Sequence, residues 1–297
     1  MTALKIARTI PSVRGIGTDL RQTRVPSKTL GLVPTMGALH EGHLALIRAS
    51  KQQCDLTAVS IFVNPTQFGP AEDLALYPRP FDADCRLLEA EGVDLLFAPD
   101  ATEMYPAGGL RTFVEVAQVG DRLDGRSRPG HFRGVATVVA KLFHILAPDV
   151  AFFGQKDAAQ VAVLCAMVRD LNFAVEIAVC PTVREDDGLA LSSRNRFLNP
   201  SERIEARALS QSLRQVSAAV KASVSDAHLL RATLYQHLSR SPGVRIDYAE
   251  IVNPETLLPV ADLANGALVA VAAWIGNTRL IDNIVLPAAS AVSKETQ

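Results

Sequence analysis

The sequence predicts an α/β protein: a parallel sheet with helices on both faces, followed by a smaller α+β domain. Three observations carry this. Short apolar runs (Leu30 to Val33, Leu56 to Val63, Val93 to Ala98, Val150 to Phe153, Val175 to Val179) recur along the first part of the chain. Helical patterns separate them, the alternation expected of parallel strands joined by right-handed crossovers. Beyond Thr182 the order changes to helices first and strands after, which places the domains at 1–181 and 182–297.

Taken in order, Arg14-Gly15-Ile16-Gly17 contains a Gly-x-Gly, but no strand precedes it and a third glycine is missing, so it reads as a loop. Leu30 to Val33 reads as a buried strand stopped by Pro34. The next stretch, Thr35-Met36-Gly37-Ala38-Leu39-His40-Glu41-Gly42-His43, organises the rest. Gly37 and Gly42 let the backbone turn tightly and approach a ligand. From Leu44, the spacing of Leu44, Leu46, Ile47 and Ala49 predicts a helix. Strand, glycine turn and helix start form a phosphate-binding layout. The first helical amides lack backbone partners, and the macrodipole adds about half a positive charge there.

His40 and His43 can lie on one side of that first turn, with Gly42 leaving space for phosphate between them. Imidazole donates to phosphate oxygens and carries a proton near neutral pH. A lone histidine is ordinarily a satisfied surface or core residue; a pair around a glycine after a strand favours phosphate. A zinc pair is the third reading, but it lacks the i,i+4 spacing of a helical zinc site and a nearby cysteine cluster.

Leu56 to Val63 reads as a second strand ending in Asn64-Pro65-Thr66-Gln67-Phe68-Gly69. Ligands of open parallel sheets sit beyond the carboxyl ends of strands, so Asn64 and Gln67 face the same crevice as the histidines; alone, this is a polar turn. A helix from Phe81 to Glu91, a third strand from Val93 to Ala98 and a short strand from Thr112 to Val116 follow. Leu123 to Gly134 is a basic, glycine-rich loop whose cations either close over an anionic substrate or are simply solvated. Val135, Val138, Val139, Leu142 and Leu146 mark a core-facing helix. The strand Val150 to Phe153 ends in Gly154-Gln155-Lys156-Asp157, a second strand-end cluster suited to anions. A helix from Gln160 to Arg169 and a strand from Val175 to Val179 complete the alternation.

Pro181 to Asn195 reads as a polar loop in which Ser192, Ser193 and Arg194 suit a mobile phosphate clamp, since guanidinium meets phosphate oxygens bidentately. Asn199-Pro200-Ser201-Glu202 starts a long helix with a cap, a first-turn proline and an acid. Helices run to about Ser239, then strands at Arg245 to Val252, Ala267 to Trp274 and Arg279 to Val285, and the tail after Pro287 reads as disordered.

Bulk composition narrows the partners. The chain balances 30 Lys and Arg against 31 Asp and Glu, which gives no sign of nucleic acid or a membrane surface as a bulk partner, so any phosphate handling is expected to be local. Cys54, Cys85, Cys165 and Cys180 are scattered with no Cys-x-x-Cys pair, which argues against a disulfide framework or zinc ribbon and suits a reducing compartment. No secretory signal is read in Met1 to Gly17, and apolar runs such as Gly266 to Ile275 are too short to span a bilayer. The expected location is the cytoplasm.

Five blocks, taken together and in order, resemble the pantoate–β-alanine ligase (pantothenate synthetase) family: Pro34 to His43, Phe62 to Phe68, Pro129 to Val135, Phe153 to Asp157 and Ser192 to Asn195. The resemblance covers most of the chain up to about Leu198. His-x-Gly-His alone would mark only the wider superfamily of nucleotidylyltransferases and class I aminoacyl-tRNA synthetases. The resemblance implies a Rossmann-like N-terminal domain, a C-terminal lid domain and a homodimer. It further implies a two-step reaction: ATP and (R)-pantoate give pantoyl adenylate and pyrophosphate, then the amine of β-alanine displaces AMP. Mg²⁺ bridging phosphate oxygens would share the charge, although no carboxylate cage identifies its ligands.

Carried onto this sequence, the resemblance places Met36, Gly37, Ala38, Leu39, His40, Glu41, Gly42 and His43 along ATP, with His43 the acid or hydrogen-bond donor to phosphate. Gly154, Gln155, Lys156, Asp157, Val183, Leu191, Ser192, Ser193 and Arg194 join the ATP site. His40, His43, Lys156 and Arg194 take the catalytic roles, Gln67 and Gln160 hold pantoate, and Gln67 also meets β-alanine. The sequence departs from the family pattern at Gln155, where Glu is frequent, at Ala158-Ala159, where an aromatic-Gln pair is frequent, and at Leu191, where Met is frequent. Two other readings stay open: a nucleotidylyltransferase that leaves the nucleotide in its product, and a non-catalytic ATP-binding module.

Overall fold

The apolar runs of the N-terminal part pair side by side as a six-stranded, wholly parallel sheet. In chain order the strands of this sheet and the helices between them are β1 (Lys5–Ala7), α1 (Ile10–Gln22), β2 (Leu30–Thr35), α2 (Glu41–Gln53), β3 (Leu56–Ile61), α3 (Phe81–Ala90), β4 (Leu95–Phe97), the single-turn α4 (Ala101–Met104) and α5 (Asp124–Ser127), α6 (His131–Leu146), β5 (Val150–Gly154), α7 (Ala158–Asp170) and β6 (Glu176–Cys180). The structure, a computed structural model, describes residues 3–22, 28–69, 74–75, 77–105 and 109–288. The tail expected to be disordered lies outside them from residue 289 on.

The strand order is β1-β4-β3-β2-β5-β6. Connections run one way from β2 through β3 and the other way from β5 to β6, so the order reverses between β2 and β5. Beyond the carboxyl ends at such a reversal lies the crevice in which sheets of this kind hold ligands. On one face, Val33, Val59, Leu96 and Phe152 pack with Leu44, Leu46 and Ile47 of α2 and Leu88 of α3. Neighbouring strand residues of opposite orientation, Leu30, Leu32, Ala58, Leu95 and Phe97, are equally buried.

Several expectations change. The first strand does not stop at Pro34 but runs through it to Thr35. The amide of Leu56 donates to the carbonyl of Thr29 and that of Phe62 to Thr35, so odd-numbered residues of β2 bond towards β3. Pro34 therefore points its missing N–H towards β5, whose pairing with β2 covers only Gly31 and Leu32, and no ladder bond is lost. Arg14 to Gly17 is not a loop but lies inside α1, anchored by buried Val13 and Leu20. The strand β1 before it was not anticipated. No strand forms at 112–116. Its side chains are largely exposed, and the amide of Val114 donates to Thr137 Oγ1 of α6 at 3.0 Å instead of to a ladder. The basic loop ends earlier than expected, with one helical turn in α5 and α6 starting at His131 rather than Val135.

Two compact units divide the chain. One is Met1–Gly154 with Val163–Cys180, the other Gln155–Ala162 with Pro181–Gln297. The second contains α8 (Pro200–Lys221), α9 (Ala227–Leu238) and an antiparallel sheet of β7 (Val244–Val252), β8 (Ala267–Ile275) and β9 (Thr278–Leu286), ordered β7-β8-β9. Asn199 and Glu202 close the capping box that starts α8. Leu209, Leu213 and Val216 of α8, with Leu230, Leu234 and Leu238 of α9, pack on Val269, Val271 and Ala273.

Candidate active site

In the first unit, the turn after β2 is fixed before any ligand is considered. Gly37 has φ of +82° and Ala38 +51°, the left-handed region that glycine adopts without steric cost. Thr35 Oγ1 donates to the Ser60 carbonyl at 2.8 Å and accepts from the Gly37 amide at 3.1 Å. Asp84 of α3, 2% exposed, accepts from the amides of Ala38 and Leu39 at 2.9 and 2.8 Å. A buried carboxylate satisfied by two backbone N–H groups is a strong local anchor. Sequence reading passed over Asp84 because nothing local links it to a turn 45 residues earlier.

His40 is the N-cap of α2 and His43 its third helical residue, and their side chains form an imidazole capping box. The Gly42 amide donates to His40 Nδ1 at 3.2 Å and the His40 amide to His43 Nδ1 at 3.3 Å. The rings stack with centroids 4.1 Å apart and planes 28° from parallel. Since Nδ1 accepts in both rings, each neutral imidazole carries its proton on Nε2. At this helix start the His40 and Gly42 amides are thus taken up by the two rings, whose own N–H groups are at Nε2.

The turn after β3 meets the first. Asn64, 1% exposed, accepts through Oδ1 from Thr66 Oγ1 at 2.9 Å, from the Thr66 amide at 3.3 Å and from the Tyr105 hydroxyl at 2.5 Å. Burial pushes the Tyr105 phenol up, so it keeps the proton it donates. Asn64 Nδ2 donates to Gln67 Oε1 at 3.1 Å and to the Gly134 carbonyl at 3.2 Å. Gln67 is therefore oriented with Nε2 outward, 3.0 Å from Met36 Sδ. Its backbone carbonyl is held by His131 Nδ1 at 2.8 Å, while Arg128 Nη1 lies 2.9 Å from His131 Nε2. Sequence placed Asn64 and Gln67 facing the crevice of His40 and His43; Tyr105 and His131 as their supports gave no local signal.

In the second unit, the expected polar loop is a hydrogen-bonded hairpin rather than a free clamp. Arg184 and Ala190 bridge antiparallel, the Glu185 amide donates to Leu189 and the Leu191 amide to Val183, both at 2.9 Å. Ser192 caps a 3-10 turn over Ser193–Phe197, its Oγ accepting from the Arg194 amide at 3.2 Å. Buried Asn195 ties this turn back through Nδ2 to Glu185 Oε1 at 2.6 Å and the Ala190 carbonyl at 3.1 Å. Lys156 Nζ lies 3.7 Å from Asp157 Oδ1, and Lys156, Ser192, Arg194 and Asn195 line one recess of this unit. Ala158 and Ala159 are buried, whereas Gln160 on the next position of α7 is half-buried.

The first unit thus carries an imidazole and amide cluster and the second a lysine, hydroxyl and guanidinium cluster, each of a chemistry that suits anions. A family model described as pantoate-beta-alanine ligase matches residues 5–285. The chain belongs to the pantoate–β-alanine ligase family. Among pantothenate synthetases, that of Acidobacterium capsulatum is 54% identical over 299 residues, covering 98% of this chain and 100% of that protein. That of Thermotoga petrophila is 52% identical over 283 residues, covering 95% and 100%. The crystal structure of the Thermus thermophilus pantothenate synthetase superposes with a TM-score of 0.87 at 44% identity, covering 94% of this chain and 98% of that one. The pantoate-β-alanine ligase of Francisella tularensis, complexed with β-γ ATP and β-alanine, gives a TM-score of 0.76 at 35% identity, covering 95% and 98%. The six-stranded parallel sheet and the three-stranded antiparallel sheet of this chain match the architecture of these ligases. Among the described residues, no helix is long and apolar enough to cross a membrane.

Proposed function

We propose that this ligase joins (R)-pantoate to β-alanine at the expense of ATP through pantoyl adenylate, releasing pyrophosphate and then AMP. The observation that carries the reading is the imidazole capping box, in which the His40 and Gly42 amides hold both rings by Nδ1 and leave the ring protons on Nε2, at the positive end of the α2 dipole. Attack of a carboxylate on an α-phosphate brings negative charge to an anionic centre, and pyrophosphate must leave. By analogy with one oxyanion donor, His40, His43, Lys156 and Arg194 each supply on the order of 3 kcal/mol to that transition state. Met36 to His43, Gly154 to Asp157, Val183 and Leu191 to Arg194 line the nucleotide. Gln67 presents an amide N–H to pantoate, Gln160 holds it as well, and β-alanine lies near Gln67. Its amine, held beside the acyl carbon of the pantoyl adenylate mixed anhydride, displaces AMP and gains mainly from proximity.

In this reading, 1–181 is the ATP- and pantoate-binding domain and 182–297 the lid. The enzyme works in the cytoplasm as a homodimer. Mg²⁺ would accompany the nucleotide and offset the charge of its phosphates; among the described residues no group of three or more His, Cys, Asp and Glu side chains gathers to hold a metal. Incubation with ATP, Mg²⁺, pantoate and β-alanine, omitting each in turn, tests the reaction. Free AMP and pantothenate are expected only from the complete mixture, and pyrophosphate also without β-alanine. A nucleotide retained in the product would overturn it.

A further inference from the structure

The C-terminal sheet takes no part in the chemistry above, yet its last strand holds the turn that carries Lys156. Asn283 of β9 is 4% exposed, and its carboxamide is spent on that turn. Nδ2 donates to the backbone carbonyls of Gln155 and Lys156, each at 2.9 Å, and Oδ1 accepts from Gln155 Nε2 at 2.9 Å. The reciprocal bond fixes which end of each amide faces the other, so both Nδ2 hydrogens go to the two carbonyls. The neighbouring Asp282, with its side chain 1% exposed, accepts from the Asn283 amide at 2.8 Å. It also takes both Arg184 Nη atoms, at 2.7 and 2.9 Å. Arg184 Nη1 in turn donates to the Gly188 carbonyl at 3.1 Å, inside the hairpin that leads to Ser192 and Arg194. Two adjacent side chains of one strand thus hold both segments of this unit that carry phosphate-facing groups.

A lysine ammonium sits on a flexible four-carbon stem, so the protein directs it chiefly by fixing the backbone from which it springs. We propose that Asn283 is a positioning residue for Lys156, and that Asp282, through Arg184, registers the Ser192–Arg194 segment on the same strand. The proposal rests on the reading of Lys156 as a nucleotide ligand. An aspartate at 283 keeps the shape but cannot donate, and turns a carboxylate oxygen on two carbonyls.

The test uses the full-length enzyme as Asn283→Asp, Lys156→Ala and the double variant, with KM measured separately for ATP, pantoate and β-alanine. Asn283→Asp is expected to raise the KM for ATP about 10-fold, the scale of one or two hydrogen bonds, with the other two KM values within about twofold. It should add nothing in the Lys156→Ala background, because residues that act through one another are not additive. An unchanged ATP KM in Lys156→Ala removes the reading of Lys156, and the proposal with it. An impaired Lys156→Ala beside a normal Asn283→Asp, or losses that multiply in the double variant, overturns the positioning role alone. Should Asn283→Asp not fold, Gln155→Ala breaks the same lock from the turn side. It is then expected to raise the ATP KM by about threefold, again only where Lys156 is present.

Discussion

His43 stands at the junction of two jobs, and the two can be separated. Its Nδ1 caps the His40 amide and its Nε2–H is the proposed donor to phosphate. His43→Ala removes both and is expected to lower pantoate-dependent ATP–pyrophosphate exchange by ~10²–10³-fold, the scale for one charge-stabilising donor. It should also lose about 0.5–2 kcal/mol of stability with the cap. His43→Gln offers a side chain suited to the third position of a capping box. It should recover most of the stability while leaving exchange low. Near-normal exchange in either variant would count against the phosphate role. At this scale the position of a residue was readable from its own neighbourhood, as with the paired histidines at a helix start and Gln67 in the turn after β3. It was silent on Asp84, Tyr105 and Asn283. Each of these polar groups acts on backbone or side chains 41 to 128 residues away, and no local pattern encodes that separation.

At the scale of elements, α6 makes the closest approach to the candidate site. A Cβ at Gly134 would lie 2.4 Å from the Thr66 carbonyl oxygen and 2.7 Å from Gln67 Cα. These are backbone atoms that cannot swing aside, and the Gly134 carbonyl also receives Asn64 Nδ2. Gly134→Ala must therefore push α6 off the turn that carries Gln67. The expected cost is about 1–3 kcal/mol, the usual penalty for overpacking, with weaker pantoate binding because the displaced backbone is that of Gln67. Thermal melting and pantoate calorimetry check it; an unaltered melt with unaltered affinity would show that the helix yields freely. Elements with long apolar runs were legible because strands buried on both faces leave little choice of residue. β1 was not, being three residues with only Ala7 buried. The 112–116 segment misled for the opposite reason: Phe113, Val114 and Val116 look strand-like, but among the described residues no strand takes their backbone bonds.

Across the whole molecule, both sheets were foreseen in kind because period and order decide them: alternation for the parallel one, helices before strands for the antiparallel one. The allocation of Gln155–Ala162 to the second unit was not foreseen, since it depends on Asn283 reaching back to the turn. Exposed apolar side chains remain, among them Val179 on edge strand β6, Leu171 just before it, and Phe113. An edge strand and apolar surface favour association, and the homodimer proposed above gives them a use. Analytical ultracentrifugation should return twice the mass of one chain at micromolar concentration. A single-chain mass there would rule that assembly out.

The imidazole capping box also decides what the mouth of the first unit will refuse. Two histidines this close would ordinarily scavenge nickel or zinc, which need a lone pair on the outward ring nitrogen. Here the backbone has claimed the inner lone pairs, so chelation would require both rings to exchange tautomers and surrender the start of α2. An entrance wired in this way turns N–H groups rather than lone pairs outward, and so suits anions better than metal cations.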